Sequence, residues 1–148
     1  MTQTLQDFLT GATNKDFAIC TGNKMHALLK HITTDGTIVT GDIELANTIN
    51  QHPDLSRFFG VSAKTEVPIA GNINGKFVSR RIDRLLINRT AKVIDFVDYK
   101  TDINKTALIK NYKLQLKEYA KLLQSAYPDY QINGYILWLH DWTLDKII

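Results

Sequence analysis

Two neighbouring stretches decide the fold: Arg81-Ile82-Asp83-Arg84-Leu85, and Val93-Ile94-Asp95-Phe96-Val97-Asp98-Tyr99-Lys100-Thr101. Both are rich in β-branched and apolar residues. A turn at Asn88–Ala91 separates them, so they read as adjacent antiparallel strands. Asp83 stands about seven residues before the turn near Thr90, and Asp98 about eight after it. Antiparallel pairing therefore brings the two carboxylates together across the hairpin. Side chains alternate along a strand, so Asp98 and Lys100 share a face and Asp95 points the other way.

Outward from this hairpin, Lys64–Ile69 and Lys76–Asn88 carry the same texture, with Gly71 and Gly75 marking a turn between them. With Lys92–Lys100 they make three successive strands, an antiparallel meander. On the N-terminal side, Thr21–Ile32 reads as a helix. Thr21 or Asn23 is its cap, and Met25, Leu28, Leu29 and Ile32 recur at helical spacing. Ile43–Gln51 reads as a second helix with Ile43, Leu45, Ala46 and Ile49 inward, stopped before Pro53, and Asp54–Gly60 as a short helical turn. On the C-terminal side, Thr106–Tyr127 is helical, with Ile109, Tyr112, Leu116, Tyr119, Ala120 and Leu123 on one face and Pro128 ending it. Gln131–His140 is a final strand. The expected fold class is α/β: a mixed central β-sheet with an antiparallel meander, flanked by helices. The 148 residues suit one domain, with 1–20 a lead-in and 21–140 the core.

The composition, 44% hydrophobic and 22% charged, is that of an ordinary globular chain and excludes a wholly disordered or fibrous one. No run of about 18 apolar residues is present to span a membrane. Met1–Thr10 has neither the basic nor the apolar region of a secretory signal. Cys20 is the only cysteine, which excludes an internal disulfide and a four-cysteine zinc or iron–sulfur site. A reducing, cytoplasmic setting is expected. The net charge of +3 permits an acidic partner such as nucleic acid without arguing for one.

Two close, partly buried carboxylates repel unless a cation lies between them or one takes a proton. With Lys100 aimed at the same point, Asp83 and Asp98 suit a Mg²⁺ or Mn²⁺ site, because hard cations take carboxylate oxygens. The plain alternative is a set of surface salt bridges: Asp83 with Arg84 or Arg81, and Asp98 with Lys100.

Five motifs occur in order: Gly22-x-x-x-His26, Glu66-Val67-Pro68, Ile82-Asp83-Arg84-Leu85, Asp98-Tyr99-Lys100-Thr101-Asp102, and Tyr112-x-x-Gln115-Leu116-x-x-Tyr119-Ala120. Together they resemble the PD-(D/E)xK nuclease domain of the RecB/AddA helicase–nuclease type, over Thr21 to about Trp138. The resemblance implies a restriction-endonuclease-like core and a Mg²⁺- or Mn²⁺-dependent deoxyribonuclease, an exonuclease in particular, acting on single-stranded DNA ends delivered by a helicase in double-strand break repair. It implies His26, Asp83 and Asp98 as metal ligands, with the main-chain carbonyl of Tyr99 completing the shell. Lys100 would orient the attacking water, and Gln115 and Tyr119 would support the site or touch the DNA backbone. The role of Glu66 stays open.

Helical geometry puts Gln115 and Tyr119 beside the apolar face of their helix, opposite a stripe of Lys110, Lys113, Lys117 and Lys121. That stripe therefore reads as a solvated face rather than the catalytic groove, and Tyr112 and Leu116 read as core. The chain departs from the family pattern at Ser79, Arg80 and Arg81, where a small residue commonly precedes the first Asp; an arginine there could contact phosphate. No Gly-x-x-x-x-Gly-Lys-Ser/Thr loop is present, which excludes the ATP-driven motor. One His with two Asp lacks the usual zinc-site histidines. The other function class is a non-catalytic DNA-binding or protein-interaction domain on the same fold.

Overall fold

In the computed structural model, residues 15–34 and 39–148 are described. The chain runs α1 (Lys15–Leu29), β1 (Thr33–Thr34), β2 (Val39–Thr40), α2 (Ile43–Asn50), a 3₁₀ turn (Ser56–Phe58), β3 (Lys64–Ile73), β4 (Lys76–Asn88), β5 (Val93–Lys100), α3 (Lys105–Ala126), β6 (Gln131–Trp138) and β7 (Thr143–Lys146). β1 and β2 form a small hairpin. The main sheet has the order β3-β4-β5-β6-β7. Its first three strands are the expected antiparallel meander; β6 is parallel to β5 and β7 antiparallel to β6. The protein is thus α/β with a mixed sheet flanked by helices.

Local chemistry accounts for the joints. Asn74 and Gly75 link β3 to β4 with φ of 52° and 78°, as a two-residue hairpin of the primed type demands. α3 is the crossover that a parallel neighbour requires. The Asn104 side chain caps it by accepting from Ala107 N, and it ends at Ala126 ahead of Pro128.

β5 is buried on both faces, so its residues alternate between two cores. Ile94 and Phe96 join Leu116, Tyr119 and Leu123 of α3, with Ile82, Ile136 and Trp138. Val97 and Tyr99 join Met25 and Leu29 of α1, Leu45 and Ile49 of α2, and Phe58 and Phe59. No helix among the described residues is long and apolar enough to cross a membrane.

Several sequence expectations need correction. α1 opens at Lys15, inside the expected lead-in, and Thr21 and Asn23 are interior helical residues rather than caps. Their helix propensities are only mildly unfavourable and do not force a start. Residues 1–14 of that lead-in lie outside the described residues. Leu28 is 41% exposed and Ile43 69% exposed, so neither joins the core. Ile43 is the first residue after the Asp42 cap, whose side chain accepts from Leu45 N. Gly71 lies within β3 rather than in the turn; a Cβ there would come 3.1 Å from the Leu122 side chain of α3. The final strand stops at Trp138, and Trp142, at φ 58°, turns the chain into the unexpected β7.

Candidate active site

The β4–β5 ladder ends at the pair Arg84–Val97, and Asp83 and Asp98 are the next residues on their two strands. The β3–β4 ladder is interrupted at the same level. Thr65 pairs with Arg84 and Val67 with Ile82, whereas Glu66 and Asp83 between them do not pair, and Glu66 has the left-handed φ of 52°. The faces of the sheet invert at this point. Leu85 and Ile87 of β4 pack toward α3 and Leu86 toward α1, but past Asp83 it is Ile82 that packs toward α3. A ladder defect re-aims side chains in this way, and here it frees Asp83 from the core alternation.

Both carboxylates are buried, Asp83 at 7% and Asp98 at 5% exposure. Asp83 Oδ2 accepts from the backbone N–H of Tyr99 at 2.8 Å, and its Oδ1 lies 3.3 Å from His26 Nε2. His26 Nδ1 is 2.8 Å from the carbonyl of Gly22, one helical turn back. A carbonyl only accepts, so Nδ1 carries a proton and Nε2 is the atom turned to Asp83. This is the physical content of the Gly-x-x-x-His spacing. Burial pushes the His26 imidazolium down. The hydrogen bond and charge of Asp83, the Gly22 carbonyl and the charge of Asp98 outweigh it and raise the group to about 9.

Asp98 belongs to the other core. Lys100 Nζ lies 2.7 Å from its Oδ2 and donates to Gln115 Oε1 at 2.9 Å. Gln115 Nε2 in turn donates to Tyr119 Oη at 2.8 Å. The Gln115–Tyr119 bond fixes the amide so that its oxygen faces the lysine. The Asp98–Lys100 contact is close but not aligned as a hydrogen bond, which leaves Oδ2 a buried acceptor without a donor. Burial raises the Asp98 carboxyl above the ordinary range; Lys100 opposes the rise and Asp83 adds to it.

Every residue singled out for this site except Glu66 is thus tied to one of the two acids. Tyr99 contributes its N–H to Asp83, while its ring lies in the α1-side core. Glu66 accepts from Arg81 Nη1 at 3.0 Å. Asp95 points away as expected and is held by Arg57 at 2.6 Å and Asn133 at 2.8 Å. The lysine stripe of α3 is exposed. His140 lies elsewhere, beside Asp141.

The salt-bridge alternative fails for Asp83: neither Arg81 nor Arg84 is its partner. Arg84 is buried at 1% exposure with no carboxylate among its contacts. Its guanidinium donates to Tyr99 Oη at 2.9 Å, Ile32 O at 2.8 Å, Phe58 O at 3.4 Å and Leu29 O, and stacks 4.2 Å over the Phe59 ring. The two carbonyls at the end of α1 offer it the negative pole of that helix. Tyr112 packs against the α3-side core, as expected, and in addition serves the site, a role the sequence reading did not assign to it. Its ring centroid is 4.3 Å from Lys100 Nζ, and its hydroxyl donates to the Asp102 carboxylate. The available signal was its position one turn before Gln115.

A cleft of about 360 Å³ opens beside Asp83 and His26, lined also by Asn23, Lys30, Glu66 and Arg81. Among the described residues, no group of three or more His, Cys, Asp or Glu side chains stands at metal-holding spacing. Each acid is drawn instead to its own base, Asp83 to His26 and Asp98 to Lys100. The donor types themselves suit a hard divalent cation: two carboxylates, and an imidazole whose Nδ1 is held by the Gly22 carbonyl so that Nε2, once it gives up its proton, is the ligating atom. No protein-family model matches the chain, and a search of curated proteins finds no match.

Proposed function

We propose that this chain is a Mg²⁺- or Mn²⁺-dependent DNA nuclease domain with a restriction-endonuclease-like core, similar to the PD-(D/E)xK domains of RecB/AddA helicase–nucleases. In this reading it hydrolyses phosphodiester bonds, as an exonuclease on strands supplied by a helicase in double-strand break repair. One observation carries the reading. At the open end of the β4–β5 ladder two buried acids on neighbouring strands each hold a base: Asp83 with His26 of α1, and Asp98 with Lys100 of β5. The element order α1, three meander strands, α3 and a parallel β6 supports the core assignment.

Asp83, Asp98 and His26 Nε2 would hold the cation, with the Tyr99 carbonyl completing the shell. When bound, such an ion supplies positive charge against the phosphate oxygens and makes water acidic enough to attack at neutral pH. Lys100 stays clear of the ligand set. Gln115 and the Tyr112 ring fix its ammonium, which orients the attacking water and offsets the charge that develops on the phosphate. Tyr119 holds Gln115, and the Gly22 carbonyl holds His26.

The test is cleavage of DNA with Mg²⁺, Mn²⁺ or EDTA. Asp83→Asn and Asp98→Asn should abolish cation-dependent cleavage while a cooperative melt persists. Lys100→Met should lose turnover and keep the thermal stabilisation by cation, about 2.7 kcal/mol at a hundredfold excess over Kd. Full cleavage by either Asp variant overturns the reading. A second reading, a non-catalytic DNA-binding or protein-interaction domain, draws support from the pairing of each acid with its own base. It predicts neither cleavage nor cation stabilisation in the wild-type chain.

A further inference from the structure

Past Asp83 the β3–β4 ribbon keeps α3 on one face. Its α3-side face carries Val67, Ile69 and Ile82, which pack toward α3, and Arg80, whose Nη2 lies 2.8 Å from Glu118 Oε1. Its other face is made by three cross-strand pairs: Pro68–Arg81, Ala70–Ser79 and Asn72–Phe77. All six residues are exposed, and among the described residues no helix packs on them. Four are small or compact, so the face is a low, smooth strip. Its inner end carries the Arg81 guanidinium, 70% exposed, at the mouth of the cleft beside Asp83. Its outer end carries the Phe77 ring, 69% exposed.

We propose that this strip is the track along which a single nucleic-acid strand reaches the acidic pair, with Arg81 on a phosphate and Phe77 stacked on a base. The inference deepens the nuclease reading and rests on it for the direction of the track. Three features favour that occupant. The charge is complementary: Arg81 at the inner end and Lys30 on the cleft wall face a polyanion, and Glu66, bonded to Arg81, is the one acid lining the cleft outside the catalytic pair. An exposed aromatic ring on a strip that leads to basic side chains can stack on an unpaired base, since every base offers a π face. The length also fits. Asp83 to Phe77 is six residues of strand, about 20 Å; a strand stacked at about 3.4 Å per nucleotide covers that distance with about six nucleotides. The ribbon is two strands wide, suited to one chain of nucleotides rather than a duplex. The inversion at Glu66 and Asp83 gives the strip its place, because it turns Arg81, Ser79 and Phe77 to the open side.

The experiment is fluorescence-anisotropy binding of a labelled oligothymidylate to the full chain in EDTA, so that no cleavage is needed. Phe77→Ala should weaken binding about tenfold, and Phe77→Trp should restore it. Arg81→Ala should weaken binding and reduce the slope of log K against log salt by about 0.7. Lys113→Ala with Lys117→Ala, on the solvated stripe of α3, should change neither affinity nor the effect of Phe77→Ala. Phe77 is exposed, so its variants should keep the wild-type melt. Unchanged affinity in Phe77→Ala and Arg81→Ala overturns the inference. So does preferential binding of a duplex, dependence on the α3 lysines instead, or no binding by the wild-type chain. The nuclease reading fails separately, by absence of cation-dependent cleavage in a wild-type chain that still binds through Phe77.

Discussion

Arg84 is the most exacting place to test the structure, because its role is independent of any ligand. Arg84→Met keeps roughly the length and apolar bulk of the side chain and removes every donor. Three acceptors then lose their partner, Tyr99 Oη and the carbonyls of Ile32 and Phe58, whereas the Leu29 carbonyl keeps the Ile32 N–H. A buried acceptor left unsatisfied costs about 1–3 kcal/mol, so the gross loss is several kcal/mol. The relief of no longer burying a guanidinium offsets part of it, leaving a net loss of about 3–5 kcal/mol. In a domain of this size that is a fall in Tm of about 6–20 °C. Urea melts followed by circular dichroism measure it. Arg84→Lys should fall between, since a lysine offers donors but not the planar fork. The effect should also reach the acids. Arg84 ties the end of α1 to Tyr99, and His26 lies one turn back on that helix. Loosening the tie should lower the His26 pKa from about 9 toward the ordinary 6.5, readable by NMR titration. A variant within 1 kcal/mol of wild type, with His26 titrating unchanged, would refute the assignment of Arg84 as the strut between α1 and the sheet.

Two further outcomes follow from single distances and directions. Gly134→Ala should cost about 1–3 kcal/mol in a urea melt, because a Cβ there would come 2.6 Å from Phe96 Cζ in the closed core; Gly134→Ala melting like wild type would contradict that packing. His26 should make cation binding pH-dependent. Its folded pKa lies above the ordinary value, so in EDTA its stabilising contribution is complete below about 6.5 and fades as pH rises through about 9. The same proton must leave before Nε2 can ligate, so stabilisation by Mn²⁺ should strengthen from pH 7 to 9 in the wild type and flatten in His26→Asn; a parallel pH course in the two proteins would remove His26 from the ligand set.

The parts of the fold that could be read in the sequence are those carried by local texture. The meander follows from three β-rich runs separated by turns, and α3 from the spacing of Leu116, Tyr119 and Leu123. Counting across one hairpin places Asp83 and Asp98 just past the end of the same ladder, at Arg84–Val97. What escaped detection depends on partners distant in the chain. Arginine at position 84 reads as a surface residue, because nothing nearby announces that the carbonyls of Leu29 and Ile32 will be waiting for it. Tyr112 sits on the apolar face of α3 and so reads as core, although its ring serves Lys100. β7 is short, with Asp145 and Lys146 in a four-residue strand, and its pairing with β6 outweighs a weak local signal. The inversion at Glu66 leaves no mark in residue type: glycine is the usual occupant of a positive φ, and a glutamate stands there.

That inversion explains why the candidate site is built from two layers. Without it, the alternation of β4 would turn Asp83 to the α3 side, away from His26, and leave Lys100 to balance both acids. With it, Asp83 is held from the α1 side, through His26, and Asp98 from the α3 side, through Lys100, Gln115 and Tyr119. Two like charges opposed across a hairpin cost stability wherever they stand. Supplying a base from each layer lets both remain ionised in a buried setting without either helix carrying the whole repulsion. The arrangement also divides the labour. The histidine can yield its proton and become a ligand, whereas the lysine, packed against Tyr112 and bonded to Gln115, keeps its charge for the phosphate.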